Sequence, residues 1–193
     1  VLSPLIGFLV AFFLMVVLVR MFHRRAPATV TAKFSKLQIV SAAYMAFSHG
    51  SNDGQKTMGI VAMALVSYYG LKTFEVPVWV ILTCGLAIAL WTAAGVCRII
   101  KTLGVGLVHL RPIHGFAAEA TAGTVIEIAT RIGLPISTTH TISSSVMGVG
   151  ASKRLSAVRW GIGGDIIMAW ILTLPACIGL AWAICKGLNA VLG

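Results

Sequence analysis

The chain has 193 residues, 58% of them hydrophobic and only 10% charged, with a mean hydropathy of +0.95. A soluble domain carries about 25% charged residues, so a water-soluble globule is excluded and an all-α integral membrane protein is expected. The formal charge of +10 does not point to nucleic acid, because the bases stand in short clusters between apolar runs, the positive-inside pattern.

In chain order, "VLSPLIGFLVAFFLMVVLV" (1–19) is long enough to cross a hydrocarbon core of about 30 Å as a helix. The basic stretch 20–36 follows, with Arg20, Arg24, Arg25, Lys33 and Lys36, and is expected to be a cytoplasmic loop. From Leu37 to Tyr69 the chain is mostly apolar but carries "FSHGSNDGQKTMGI" (47–60), where Gly50 and Gly54 permit unwinding; a broken helix is expected there. The segment 70–77, with Lys72 balanced by Glu75, reads as external. The helix over 78–97 then returns to Arg98 and Lys101, again cytoplasmic.

Next come the apolar segment 115–133, the break "LPISTTH" (134–140) and "TISSSVMGVGA" (141–151), which ends at Lys153, Arg154 and Arg159. Basic ends on both sides predict a re-entrant hairpin. A final helix runs from about Gly161 to Leu192 with Pro175 inside it. The whole chain, 1–193, reads as a single transmembrane domain, and because residue 1 is Val with no cleavable signal pattern, as a piece of a longer protein. Cys84, Cys97, Cys177 and Cys185 lie in or at the ends of apolar segments without CxxC or Cys/His pairing; they read as small packing residues, and no metal or cofactor is implied.

The two polar breaks call for a protected cavity, since each unpaired backbone group in lipid costs several kcal/mol. Asn52 offers an amide and Asp53 a charge. Pro135 cannot donate an N–H and suits the start of a helix whose first turn presents Ser137, Thr138, Thr139 and His140. A helix N-terminus with free N–H groups and neighbouring hydroxyls favours an anion. Asp53 would repel that anion unless a cation sat between them, which is how a secondary transporter shares a site between an anion and a driving ion. Carrying one net negative charge inward against about 100 mV costs roughly 2.3 kcal/mol, and cotransported cations remove that cost.

"FSHGSNDGQKTMGI", "GFAAEATAG…RIGLPISTTH" and "MAWILTLP" (168–175), in this order, resemble the second signature and C-terminal half of the Pit-type inorganic phosphate transporters. That resemblance implies two inverted repeats, each with a broken helix and a re-entrant hairpin, around phosphate near the midplane. It assigns Ser51, Asn52 and Asp53, with Ser137, Thr138 and Thr139, to the phosphate and cation site, and Glu119 to the acidic position before the hairpin tip. A second GxND motif is absent, so the chain looks like half a transporter. Gln55 and Lys56 depart from the "GANDVSNA" of sodium-coupled members and resemble bacterial members that use protons and accept phosphate complexed with divalent metal.

The expected function is therefore phosphate symport, proton-coupled, with sodium coupling as the alternative, in a multi-pass protein of the bacterial inner membrane. Burial favours the neutral form of a carboxyl group. With Lys56 beside Asp53, Glu119 is the better titrating candidate of the two cation-coupling residues. The implied partners are phosphate, the coupling cation, the bilayer and a missing N-terminal half, with a homodimer left open and nucleic acid excluded.

Plainer roles compete at most of these positions. Asp53 can pair with Lys56 three residues on, Ser137 to Thr139 can be helix caps, His49 and His140 can hydrogen-bond neighbouring carbonyls, and Glu119 can pair with Arg111 or His114. Glu127 suits an interfacial role, Asp165 a surface charge and Ser143 to Ser145 helix packing. An intramembrane hydrolase would use Ser137 or Ser51 with His140 or His49, but no GxSxG turn is present. A channel lined by backbone carbonyls is the third reading.

Overall fold

The computed structural model describes residues 2–70, 72–101 and 106–192, except the side chains of 95–101, 191 and 192. The expected placements of Cys97, Arg98 and Lys101 side chains lie outside the described residues. Among those described there is no strand. The chain divides into two compact units, Val1–Val158 and Arg159–Gly193, where the sequence reads as one domain.

The first unit contains α1 (Leu2–Phe22), α2 (Pro27–Tyr69), α3 (Val78–Lys101), α4 (Pro112–Arg131) and α5 (Thr138–Lys153), then a short 3₁₀ turn, Leu155–Ala157. The second is α6 (Trp160–Leu192), which holds Pro175 within it. Leu2–Phe22 and Trp160–Ala190 are long and apolar enough to cross a membrane, with mean hydropathies of 2.8 and 2.0. Their large side chains, such as Phe13, Val17, Leu174 and Trp182, are exposed, as lipid-facing residues would be.

Two expectations are corrected. The stretch 20–36 is not a loop, because α1 continues through Phe22 and α2 begins at Pro27, leaving only residues 23–26 between them. Proline at the first helical position has no N–H to lose and a φ already suited to the helix. Nor is α2 broken at Gly50 to Gly54; it runs helical for 43 residues. Glycine permits unwinding but does not impose it, and no proline removes a backbone donor between Pro27 and Tyr69. The helix ends at Gly70, whose left-handed φ of 61° closes it through an N–H bond to the Val66 carbonyl.

α4 and α5 form an antiparallel helical hairpin. Gly133 adopts φ 73° at the end of α4, and its N–H and that of Leu134 donate to the carbonyls of Thr130 and Ala129 at 3.1 and 2.8 Å. Pro135 and Ser137 then lead into α5, where the Ser137 hydroxyl accepts the His140 N–H at 3.3 Å as its N-cap.

α5 packs on α1 through small residues, and Ser143 to Ser145 serve helix packing as expected. The Ser145 hydroxyl donates to the Gly7 carbonyl at 3.2 Å. A Cβ on Gly7 would lie 2.7 Å from Ser144 Oγ, and one on Gly148 would collide with the Phe8 carbonyl. Every residue from Ser143 to Ala151 is buried, which makes α5 the enclosed element. α4 packs along α2, where Gly123 meets the Tyr44 ring and Phe34 lies between Phe22 and Phe116 at centroid distances of 5.2 and 5.3 Å. The pairings make α1 parallel to α5 and α2 parallel to α4. The end of α1, the start of α4 and the end of α5 therefore share one end of the bundle.

Candidate functional site

The hairpin tip meets the middle of α2. Asp53 is the focus: Thr138 Oγ1, at the first position of α5, donates to Asp53 Oδ2 at 3.3 Å, and Lys56 Nζ donates to Asp53 Oδ1 at 3.1 Å. His49 Nδ1 lies 3.4 Å from Oδ2, one turn before it on the same face. Lys56 also donates to the carbonyl of Ile136. Its ammonium is thereby held between a carboxylate oxygen and a carbonyl oxygen of the tip.

Beside this cluster Asn52 is buried, and its Nδ2 donates to Thr130 Oγ1 at 3.0 Å, while Thr130 donates onward to the Ile126 carbonyl at 2.8 Å. Asn52 Oδ1 has no partner among the described residues. A buried unpaired acceptor costs about 1–3 kcal/mol. Asn52, Gln55 and Lys56 of α2, with Thr130, Gly133 and Pro135 of the hairpin, line a cavity of about 220 Å³. The first-turn N–H groups of α5, at Thr138 and Thr139, have no intrahelical partners. The cavity itself offers the Lys56 ammonium and the free acceptor of Asn52, with the Asp53 carboxylate and the α5 first turn joined to it through Lys56 and Thr138.

The residues expected to form the site are partly brought together. Asp53 and Thr138 meet, while Asn52 reaches the hairpin at Thr130. Ser137 is the α5 cap, its hydroxyl accepting the His140 N–H. Ser51 is half-buried and Thr139 exposed, and neither makes a side-chain hydrogen bond among the described residues. Glu119 stands apart. It accepts from Ser41 Oγ at 2.6 Å and Gln38 Nε2 at 3.5 Å, and the ion pairs among the described residues do not join it to Arg111 or His114. Ser41 precedes Asp53 by roughly 18 Å of helix at about 1.5 Å per residue, so the two carboxylates belong to separate clusters. Glu127 pairs with Arg131 at 2.9 Å, and Asp165 is exposed on α6. Cys84, Cys177 and Cys185 are free thiols.

Thr130, Gln38, Ser41 and the Ile136 carbonyl were not singled out from the sequence. Gln38 and Ser41 are spaced one helical turn apart on α2, a signal that becomes legible only once Glu119 is known to face them.

A chain with two helices long and apolar enough to cross a membrane, whose α2 and hairpin tip carry a charged, hydroxyl-rich cluster, points to the class: a helical membrane protein with a polar site. The chain belongs to the phosphate transporter family, whose pattern matches residues 1–181, a family of transporters and not of enzymes. It is 46% identical over 187 residues to a probable low-affinity inorganic phosphate transporter of Rhizobium meliloti (strain 1021), covering 96% of this chain and 55% of that protein. It is 42% identical to the protein of the same description in Bacillus subtilis (strain 168), covering 91% and 53%. A solved structure titled "The sodium-dependent phosphate transporter" matches with a TM-score of 0.68 at 27% identity, over 90% of this chain and 51% of that one. The chain thus spans about half the length of the curated relatives it matches.

Proposed function

We propose that this chain forms one half of a secondary active transporter that carries inorganic phosphate across a bacterial inner membrane together with protons. The carrying observation is the meeting of Asp53, Lys56 and Thr138 at the hairpin tip, beside the unpartnered Asn52 Oδ1. Phosphate oxygens find donors in the α5 first turn and in Lys56. A protonated phosphate oxygen can satisfy Asn52 Oδ1. The tip makes this contact partway along α2, which continues roughly 24 Å beyond Asp53 at about 1.5 Å per residue. That supports a hairpin entering and leaving on one side of the membrane, with α2 crossing fully.

Proton coupling is favoured at two places. Beside Asp53, the position a sodium ion would occupy between a carboxylate and a carbonyl oxygen holds the Lys56 ammonium. At Glu119 the partners are the neutral Ser41 and Gln38, so a proton on this carboxyl group displaces no paired cation. The second reading, sodium coupling, is favoured by the printed title of the structural neighbour alone.

The test is uptake of radiolabelled phosphate by proteoliposomes of the complete transporter, first under a pH gradient without sodium, then under a sodium gradient at equal pH. Accumulation under the first condition is expected. Uptake under sodium alone refutes proton coupling, and absence of saturable uptake under both refutes phosphate transport. Full pH-driven accumulation by Glu119→Gln would remove Glu119 from the mechanism.

A further inference from the structure

At the end of the hairpin opposite the tip, a cavity of about 400 Å³ opens between α1, α4 and α5. Three segments distant in sequence each bring a base to it: Arg20 from the end of α1, Arg111 from the start of α4 and Lys153 from the end of α5. None of the three forms an ion pair among the described residues. The acidic residues of the chain, Asp53, Glu75, Glu119, Glu127 and Asp165, are all absent from the lining. His114 adds a donor, because its Nδ1 accepts the Arg111 N–H at 3.1 Å. The neutral ring then carries its hydrogen on Nε2.

Bases gathered without a counter-charge repel one another, and an anion relieves that repulsion. The rest of the wall selects which anion. Met15, Val16 and Val19 of α1 form an apolar side to the same cavity, and Val19 is half exposed on a helix that also exposes Val10, Phe13, Val17 and Met21. A free phosphate ion gains nothing from that wall. A headgroup followed by an acyl chain uses both parts, and basic pockets between membrane helices suit such headgroups.

We propose that this cavity holds the phosphate headgroup of an anionic phospholipid, with the start of its acyl chain lying along Met15, Val16 and Val19. The site is separate from the hairpin tip, so a lipid bound here would staple α1 to both arms of the hairpin without occupying the transport site.

The experiment uses the complete transporter purified in mild detergent and loaded with either phosphatidylglycerol or phosphatidylcholine. Retained lipid is counted by native mass spectrometry through a delipidation series, with and without millimolar inorganic phosphate. Wild type should retain phosphatidylglycerol and not phosphatidylcholine, and phosphate should not displace it. Arg111→Gln with Lys153→Gln should weaken retention roughly 25-fold, about fivefold per base near an anionic surface. Arg111→Lys with Lys153→Arg keeps the charge and should keep the lipid. Equal retention of the two lipids, or undiminished retention in the double glutamine variant, overturns the proposal. Displacement by inorganic phosphate that depends on Arg111 and Lys153 overturns it in favour of a free-phosphate site. Should the glutamine variant fail to fold, the wild-type comparison of the two lipids, read also as thermal stability, still decides.

Discussion

Lys56→Gln separates the fixed-cation account of the site from its rivals. The Lys56 ammonium holds two bonds at once, to Asp53 Oδ1 at 3.1 Å and to the Ile136 carbonyl. Glutamine is shorter and neutral, so it reaches neither in the same way. Two unit charges at this distance attract by about 5 kcal/mol at an effective dielectric of 20. With both side chains 35% exposed, solvation offsets most of that, and hydrogen bonds to charged groups contribute about 1.5–3 kcal/mol net. The substitution also frees the oxygen pair between α2 and the tip. Two effects are expected in proteoliposomes of the complete transporter: the half-saturation concentration for phosphate rises roughly 10- to 100-fold, because the charge-assisted bond of about 1.5–3 kcal/mol that the ammonium would donate to a phosphate oxygen is lost, and uptake becomes stimulated by sodium, which can enter the vacated position. Lys56→Arg, which keeps the charge, should retain sodium independence. Unchanged half-saturation together with unchanged ion dependence in Lys56→Gln would refute the role given to this ammonium.

Asn52→Ala and Thr138→Ala each remove a polar partner at the tip, and each should raise the half-saturation concentration for phosphate by the equivalent of about 1–3 kcal/mol; wild-type values in both would remove them from the site. Gly148→Val drives a side chain into the Phe8 carbonyl, and overpacking of this kind costs about 1–3 kcal/mol. The melting temperature of the complete transporter should fall, and an unshifted melt would contradict the tight α1–α5 contact. Single-cysteine labelling at positions 33, 72 and 153 in a cysteine-free background should place Lys33 and Lys153 on one side of the membrane and Lys72 on the other. Labelling of position 153 from the same side as position 72 would mean that the hairpin crosses.

The sequence makes some of this architecture legible for clear reasons. Unbroken apolar runs with basic ends define α1 and α6. Pro135 between two short apolar segments defines the hairpin, because proline stops one helix and starts another. The 50–54 stretch misleads because its polar residues are compatible with two backbones. His49, Asp53, Lys56 and Thr57 fall at helical spacing, and their mutual contacts support the helix from within. The Asp53–Lys56 pair, considered above as a plainer rival to a functional role, turns out to coexist with the contact to Thr138. Partners such as Thr130 for Asn52 are 78 positions apart. Which residues of α2 face α4 depends on the rotation of one helix about its axis relative to the other, and local spacing does not fix that phase.

The phase also places the two clusters on one helix pair. Ser41 bonds Glu119 and Asn52 bonds Thr130, and the sequence separation is 78 in both pairs. Between the pairs, α2 and α4 advance by the same three turns, or roughly 17 Å at about 1.5 Å per residue, along parallel axes. Both bonds therefore sit on one seam in one register. A slide of α4 along α2 cannot break the Glu119 contact while preserving the Asn52 contact, since neither helix is interrupted between the two levels. Had α2 been unwound at Gly50 to Gly54, the levels could have moved independently. Because it is continuous, the Glu119 and Asn52 contacts belong to the same helix pair, and any ligand that favours one registration of that pair biases both ends in proportion to its differential affinity.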